Sequence, residues 1–212
     1  MKIKIAIVIG IVLLGFVTCI NPVYPSEQVL QHIGTLILLI PLVVDLKKNK
    51  LYWSSYIGIS LFTVFHIIGA RYIYSFVPYN DWSKSAFDFN LNDFFDFKRN
   101  HFDRFVHFVF GILFFPYLAQ MIGKWKGLSY MKVIIIVWLI IQTFSMFYEL
   151  FEWSLTIVMS SESADNYNGQ QGDMWDSQKD MACAMLGSTI MYLVYFIKGI
   201  NKSTKMITDK ND

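Results

Sequence analysis

Residues 132–152 read KVIIIVWLIIQTFSMFYELFE. After Lys132 the first half is an unbroken run of Val, Ile, Trp and Leu. The second half inserts Gln142, Ser145, Glu149 and Glu152 at steps of 3, 4 and 3. A helix turns once in about 3.6 residues, so these four polar residues share one face. A bilayer span needs about 20 mostly apolar residues. This stretch therefore reads as a membrane helix with one polar stripe. A carboxylate inside a membrane is costly unless it is paired or wet, so the stripe marks a place where something meets it.

The rest of the chain agrees with the membrane reading. Of its 212 residues, 55% are hydrophobic and 17% aromatic, well above the usual soluble composition. Apolar runs recur at about 3–20, 29–46, 52–72, 104–122, 132–152 and 180–198. We expect an all-α polytopic membrane bundle of about six transmembrane helices, forming a single domain over 1–212. The two long connections, about 73–103 and 153–179, should both lie on one side. The first alternates aromatic residues with acids and asparagines, which suits the interfacial belt.

Lysines occupy the other side. Lys2 and Lys4, then Lys47, Lys48 and Lys50, then Lys124, Lys126 and Lys132, and finally Lys198, Lys202, Lys205 and Lys210 all fall together if the spans alternate. The positive-inside rule then places both termini in the cytoplasm. No small-x-small cleavage site follows the first span, so it is expected to be retained. Cys19 and Cys183 read as packing residues rather than a disulfide framework. The net charge of +2 says little by itself, and no nucleic-acid partner is expected. The lipid bilayer itself is the expected partner.

The ionisable residues converge. Asp103 and His107 are four apart at the start of the fourth span, Glu149 and Glu152 end the fifth, and Asp173, Asp176 and Asp180 open the sixth. His66 lies near the end of the third. All sit at the outer ends of their helices. Such a gathering of acids needs positive charge, from Arg99, Arg104 and Lys179 or from a divalent metal. Carboxylate–histidine pairs on facing helices are how bundles build metal sites. Oxygen donors suit Mg²⁺, Mn²⁺ or Ca²⁺, and imidazole admits Zn²⁺. The candidate ligands are Asp103, His107, Glu149, Glu152, Asp173, Asp176 and Asp180. The candidate catalytic groups are His66, Arg99, Arg104, His107 and Glu149, with the arginines suited to phosphate or carboxylate. Asp103, Asp173 and Asp176 are equally natural acids at helix N-termini. His32 and His101 read as interfacial, and Ala182, Ala184, Gly187 and Ser188 as a close-packing face.

The same residues carry a likeness. His66-x-x-Gly69, Tyr72-x-Tyr74, Pro78, Arg99-Asn100-His101-Phe102-Asp103-Arg104, His107-Phe108, Tyr148-Glu149-x-x-Glu152-Trp153 and Gln171-Gly172-Asp173-x-Trp175-Asp176-x-Gln178-x-Asp180-Met181 occur in that order, followed by Gly187. This set resembles the YjdF-type family of bacterial inner-membrane proteins. The resemblance implies a multi-pass inner-membrane location and supplies no reaction. The short Asp180-to-Gly187 pattern is also similar to VanZ-type membrane proteins, which implies cell-envelope biology.

The leading expectation is a metal-dependent hydrolase or transferase acting on a lipid or lipid-linked envelope substrate. A transporter or ion-coupled protein is the first alternative, although the cytoplasmic halves of the spans are almost purely apolar apart from Asp45. A non-catalytic envelope protein, whose polar cluster only locks the bundle, is the second.

Overall fold

The structure is a computed structural model that describes residues 1–158 and 171–208, with side chains through residue 200. The middle of the expected 153–179 connection, residues 159–170, and Lys210 lie outside the described residues. Among the described residues there are helices and turns and no strand. In chain order the helices are α1 Lys2–Thr18, α2 Pro25–Lys48, α3 Trp53–Arg71, α4 Tyr79–Phe87, α5 Leu91–Phe95, α6 Phe102–Leu113, α7 Phe115–Ile122, α8 Tyr130–Val158 and α9 Asp176–Thr208.

Five segments are long and apolar enough to cross a membrane: α2, α3, α6 with α7 as one rod, α8, and α9 to Ile200. The expected sixth, α1, has 17 residues, at the short end of the spanning range. It packs beside α2 and α3. The broken rod has a local cause. Pro116 has no N–H and its ring crowds the carbonyl one turn back, so α6 stops at Leu113 and α7 restarts at Phe115.

α3 is the hub, with 56% of its apolar window buried against 22–33% in the other four spans. It packs on α1, α2, α6 and α7. Elsewhere Phe16, Leu36, Phe147 and Leu186 stay more than half exposed. A water-soluble protein rarely leaves such a continuous apolar surface bare; lipid is its proper solvent.

Two corrections concern the connections. The 73–103 segment, expected as a loop in the interfacial belt, contains the short helices α4 and α5. Asn90 caps α5 by accepting from the N–H groups of Asn92 and Asp93, and Tyr79 Oη donates to Asn92 Oδ1 at 2.7 Å. Trp82, Phe87, Phe94 and Phe95 are exposed there, as an interfacial aromatic belt requires. The other connection is shorter than expected, because α8 continues to Val158 and α9 begins at Asp176.

At the end of the bundle opposite the acidic cluster, Lys4 is buried. Its Nζ donates to Asp45 Oδ2 at 2.6 Å, to Asn49 Oδ1 at 3.1 Å and to the Leu51 carbonyl at 3.3 Å. Asp45 Oδ1 accepts from the Lys50 and Leu51 N–H groups. Tyr56 Oη donates to the Lys4 carbonyl, and Gln120 bridges Tyr52 N and the Lys50 carbonyl. A lysine that reads as a flanking charge is thus the pin joining α1, α2 and α3.

Candidate functional site

The site depends on how closely α6 and α9 approach. A Cβ on Gly111 would lie 2.4 Å from the Ala184 carbonyl oxygen, and one on Gly187 would lie 2.1 Å from that of Phe108. Only glycines let the two backbones touch, the small-residue packing typical of membrane helices. The expected packing face holds for Ala184, Gly187 and Ser188, which are buried, but not for Ala182, which is exposed. On the other flank of α9, α8 is pinned by Gln142 Nε2 donating to Ser188 Oγ at 2.7 Å and Trp138 Nε1 donating to Thr189 Oγ1 at 2.9 Å.

This packing sorts the expected residues into two layers. The inner layer is Asp103 and His107 on α6, Asp180 on α9 and Glu149 on α8, all buried. One donor atom from each of Asp103, His107 and Asp180 lies within 4.8 Å of the others. His107 Nε2 sits 3.2 Å from Glu149 Oε1 and 3.8 Å from Asp103 Oδ1. Its Nδ1 lies 3.4 Å from Ser145 Oγ, the kind of partner that orients a metal-bound imidazole. Glu149 Oε1 and Asp180 Oδ1 are buried without a hydrogen bond; the Glu149–His107 contact is close but poorly aligned. Glu152 is buried one turn beyond Glu149 and stands outside the group of three donors.

The outer layer is ionic. Arg104 Nη2 donates to Asp173 Oδ2 at 2.6 Å and to Asp176 Oδ1 at 2.9 Å. Arg99 Nη2 reaches Asp176 at 2.8 Å, and Lys179 Nζ donates to Asp173 at 2.6 Å. Asp173 and Asp176 therefore belong with the arginines, where Asp103 and His107 were the expected neighbours. The hydrogen bonds from Lys179 and Arg104 hold the Asp173 carboxyl far below the ordinary carboxylate range. Its charge is thus present above the usual value and is lost only in strong acid, as the pH falls through the folded-state value. His101 stacks flat on Phe97, with ring centroids 3.9 Å apart. Burial, then the nearby Arg104 and Arg99, lower its imidazole from the ordinary value.

His66 lies elsewhere in the arrangement. Its Nε2 is 3.0 Å from the Gln31 carbonyl, which can only accept, so Nε2 carries the proton. Nδ1 then accepts from Tyr74 Oη at 2.5 Å. Both ring nitrogens are engaged, which leaves neither for a metal. Tyr74 reaches this position through left-handed backbone at Ile73 and Tyr74, with φ of 44° and 59°. Gly69 makes room for its ring, since a Cβ there would fall 2.6 Å from it. Such strain persists only where packing enforces it, and Ile73 is fully buried. We expect Tyr74→Phe to lower stability by about 1–3 kcal/mol, the usual cost of an unsatisfied buried acceptor, measured by thermal unfolding in detergent. An unchanged midpoint would argue against the pairing.

The sequence reading missed Tyr74 as the partner of His66, although the spacing Gly69 to Tyr74 was visible. It also missed the Lys4–Asp45 pair, since nothing in sequence separates a buried lysine from a flanking one.

Comparison with known proteins agrees with the architecture. The chain is 29% identical over 144 residues to the inner membrane protein YjdF of Escherichia coli (strain K12), an alignment covering 66% of this chain. It spans 65% of that relative's length. No solved structure matches. The family model described as a predicted membrane protein, DUF2238, matches residues 3–199, and by that nearly full-length match the chain belongs to the DUF2238 family of membrane proteins.

Proposed function

We propose that this protein is a multi-pass inner-membrane enzyme that holds a divalent cation on Asp103, His107 and Asp180, with Glu149 beside it, and hydrolyses or transfers a phosphate group of a lipid or lipid-linked substrate. The inner-membrane assignment follows the E. coli relative, an inner membrane protein. The lysine distribution supports a site at the outer face.

One observation carries the reading: three metal-ligand side chains with donor atoms within 4.8 Å of one another, where Asp180 Oδ1 and the neighbouring Glu149 Oε1 are buried without hydrogen bonds. Two carboxylates and an imidazole fit Mn²⁺ or Zn²⁺ and admit Mg²⁺ or Ca²⁺. Arg104 Nε lies 3.9 Å from Asp180 Oδ1, and a further cation would complete the offset of charge that buried facing acids require. Held by these residues, a divalent cation would supply Lewis-acid activation of water and phosphate. Glu149 would accept the attacking water's proton; as the water oxygen bonds to phosphorus, the bond to the leaving alkoxide oxygen would break and the proton would pass to that oxygen. Arg99 and Arg104, tied to Asp173 and Asp176, form a charged rim on the approach.

A structural reading has one observation in its favour, the Arg99 and Arg104 ion pairs that fasten the start of α9 to α6. A transport route lacks such support: the acid at the far end, Asp45, is committed to Lys4 and two backbone N–H groups.

The test is metal content after purification without chelator. The wild type should carry about one divalent ion per chain, and Asp180→Asn should lose at least ten-fold in affinity while remaining folded, in line with the loss of a direct ligand. A wild type that takes up no ion even after incubation with Mn²⁺ or Zn²⁺ would return the cluster to a purely structural role.

A further inference from the structure

Beside the inner layer lies a cavity of about 530 Å³, within the ~300–1,000 Å³ of small-ligand sites. Its polar end is formed by Asp103, His107, Ser145 and Tyr148. His66 and Tyr74, already hydrogen-bonded to each other, also line it, and the rest of the wall is apolar and aromatic, including Ile37 and Leu38 from α2, Phe110 from α6, Phe114, Tyr117 from α7 and Phe144 from α8. The lining on the α6–α7 rod runs from Asp103 to Leu118, roughly 22 Å at about 1.5 Å per residue. The space is therefore long and narrow, and polar at one end.

It also reaches the membrane-facing surface. Ile37 is 61% exposed and Phe144 58% exposed, yet both line the cavity. α2 packs chiefly on α3 and α1, and α8 chiefly on α9 and α7. The two helices that carry these residues thus border the cavity on its lipid side. In a bilayer the surrounding medium at that depth is hydrocarbon.

Charge selects the headgroup. Asp103, Glu149 and Asp180 gather around His107 in the inner layer, while Arg99 and Arg104 are held by Asp173 and Asp176, with Arg104 Nε also 3.9 Å from Asp180 Oδ1. The inner layer presents carboxylate oxygens rather than anion-binding donors, and a divalent cation held among them would attract an anionic headgroup.

We propose that the cavity takes the single hydrocarbon chain of a lipid phosphate, admitted sideways from the bilayer between α2 and α8, with the phosphate set against a cation at Asp103, His107 and Asp180. The proposal rests on the metal reading above for its headgroup half. Its chain half rests on the cavity alone. Two bulky chains exceed the volume, and a free phosphate would leave the apolar length unfilled.

The experiment is native mass spectrometry of the full chain from mild detergent with hexadecyl phosphate, hexadecanol or inorganic phosphate, each with and without Mn²⁺. The variants are Leu38→Trp, which fills the cavity away from the ligands, and Asp180→Asn. Ile37→Trp, at the open edge, replaces Leu38→Trp should that variant fail to fold. The expected result is one hexadecyl phosphate per chain, bound at least ten-fold more tightly with Mn²⁺ than without. Leu38→Trp should lose that binding at least ten-fold while retaining the ion. Hexadecyl phosphate bound equally by Leu38→Trp overturns the chain assignment. Inorganic phosphate bound as tightly as hexadecyl phosphate overturns it too, in favour of a free-phosphate site. Hexadecanol and hexadecyl phosphate bound alike regardless of Mn²⁺, and both lost in Leu38→Trp, overturn the phosphate assignment. In that case the metal reading fails while the chain pocket stands.

Discussion

Gly187→Val should unfold or separate the α6–α9 pair. The glycine's place for a Cβ is 2.1 Å from the Phe108 carbonyl oxygen and 3.1 Å from its carbon. The obstacle is backbone, so no rotamer change relieves it. Overpacking in a close-packed core typically costs about 1–3 kcal/mol, and a clash with the facing helix's backbone belongs at or above the top of that range. The larger consequence is functional. Asp103 and His107 ride on α6 and Asp180 on α9, so parting the helices pulls the three donors beyond the 4.8 Å that groups them. Gly187→Val should therefore lose bound metal although no ligand has changed, and Gly187→Ala should show the same effects in smaller measure. Unfolding in detergent and metal analysis on the same preparations check both halves. A valine variant with wild-type stability would refute the close approach itself.

Lys4→Met should be the second large effect. The substitution preserves length and removes the charge, leaving Asp45 buried at 2% exposure without its cation. Removing one partner of a buried ion pair usually costs about 3–5 kcal/mol, because the other charge stays desolvated. The pair also closes the α2–α3 turn through the Lys50 and Leu51 N–H groups, so loss of α1 packing should follow. Asp45→Asn alone should be destabilising too. The double variant Lys4→Met/Asp45→Asn should be less destabilised than the sum of the two singles, as expected for directly contacting residues. Strict additivity in thermal unfolding would show that the two do not act as a pair. Metal content should be little changed, since this pin lies at the other end of the bundle from Asp180.

These two positions show how differently the sequence spoke. Gly187 was legible as a packing residue because small residues one turn apart in an apolar helix have few other uses. Lys4 was not. Near a chain end, beside an apolar run, a lysine looks like a topology signal. Burial depends on Asp45, some forty positions away, arriving at the same depth, and pattern alone cannot show that. The break between α6 and α7 was visible in Pro116, yet the two halves were expected as one smooth span. The helices within 73–103 were hidden because their short amphipathic pattern is interrupted by asparagines and aspartates, which cap helices as readily as they form loops.

The chain's order of residues by itself determined the all-helical membrane architecture, the approximate spans and the end of the bundle where acids, histidines and arginines gather. Apolar length and 3.6-residue periodicity are local properties, and they survive without knowledge of neighbours. The tertiary structure decided which of those charged groups meet. Asp173 and Asp176 went to Arg104 and Arg99, His66 went to Tyr74 and Gln31, and Asp103, His107 and Asp180 were left together beside Glu149. Each acid on a helix end can serve as a cap, a salt-bridge partner or a ligand. The choice is made by helix rotation and by the backbone contacts at Gly111 and Gly187, which act over ångströms between segments far apart in sequence.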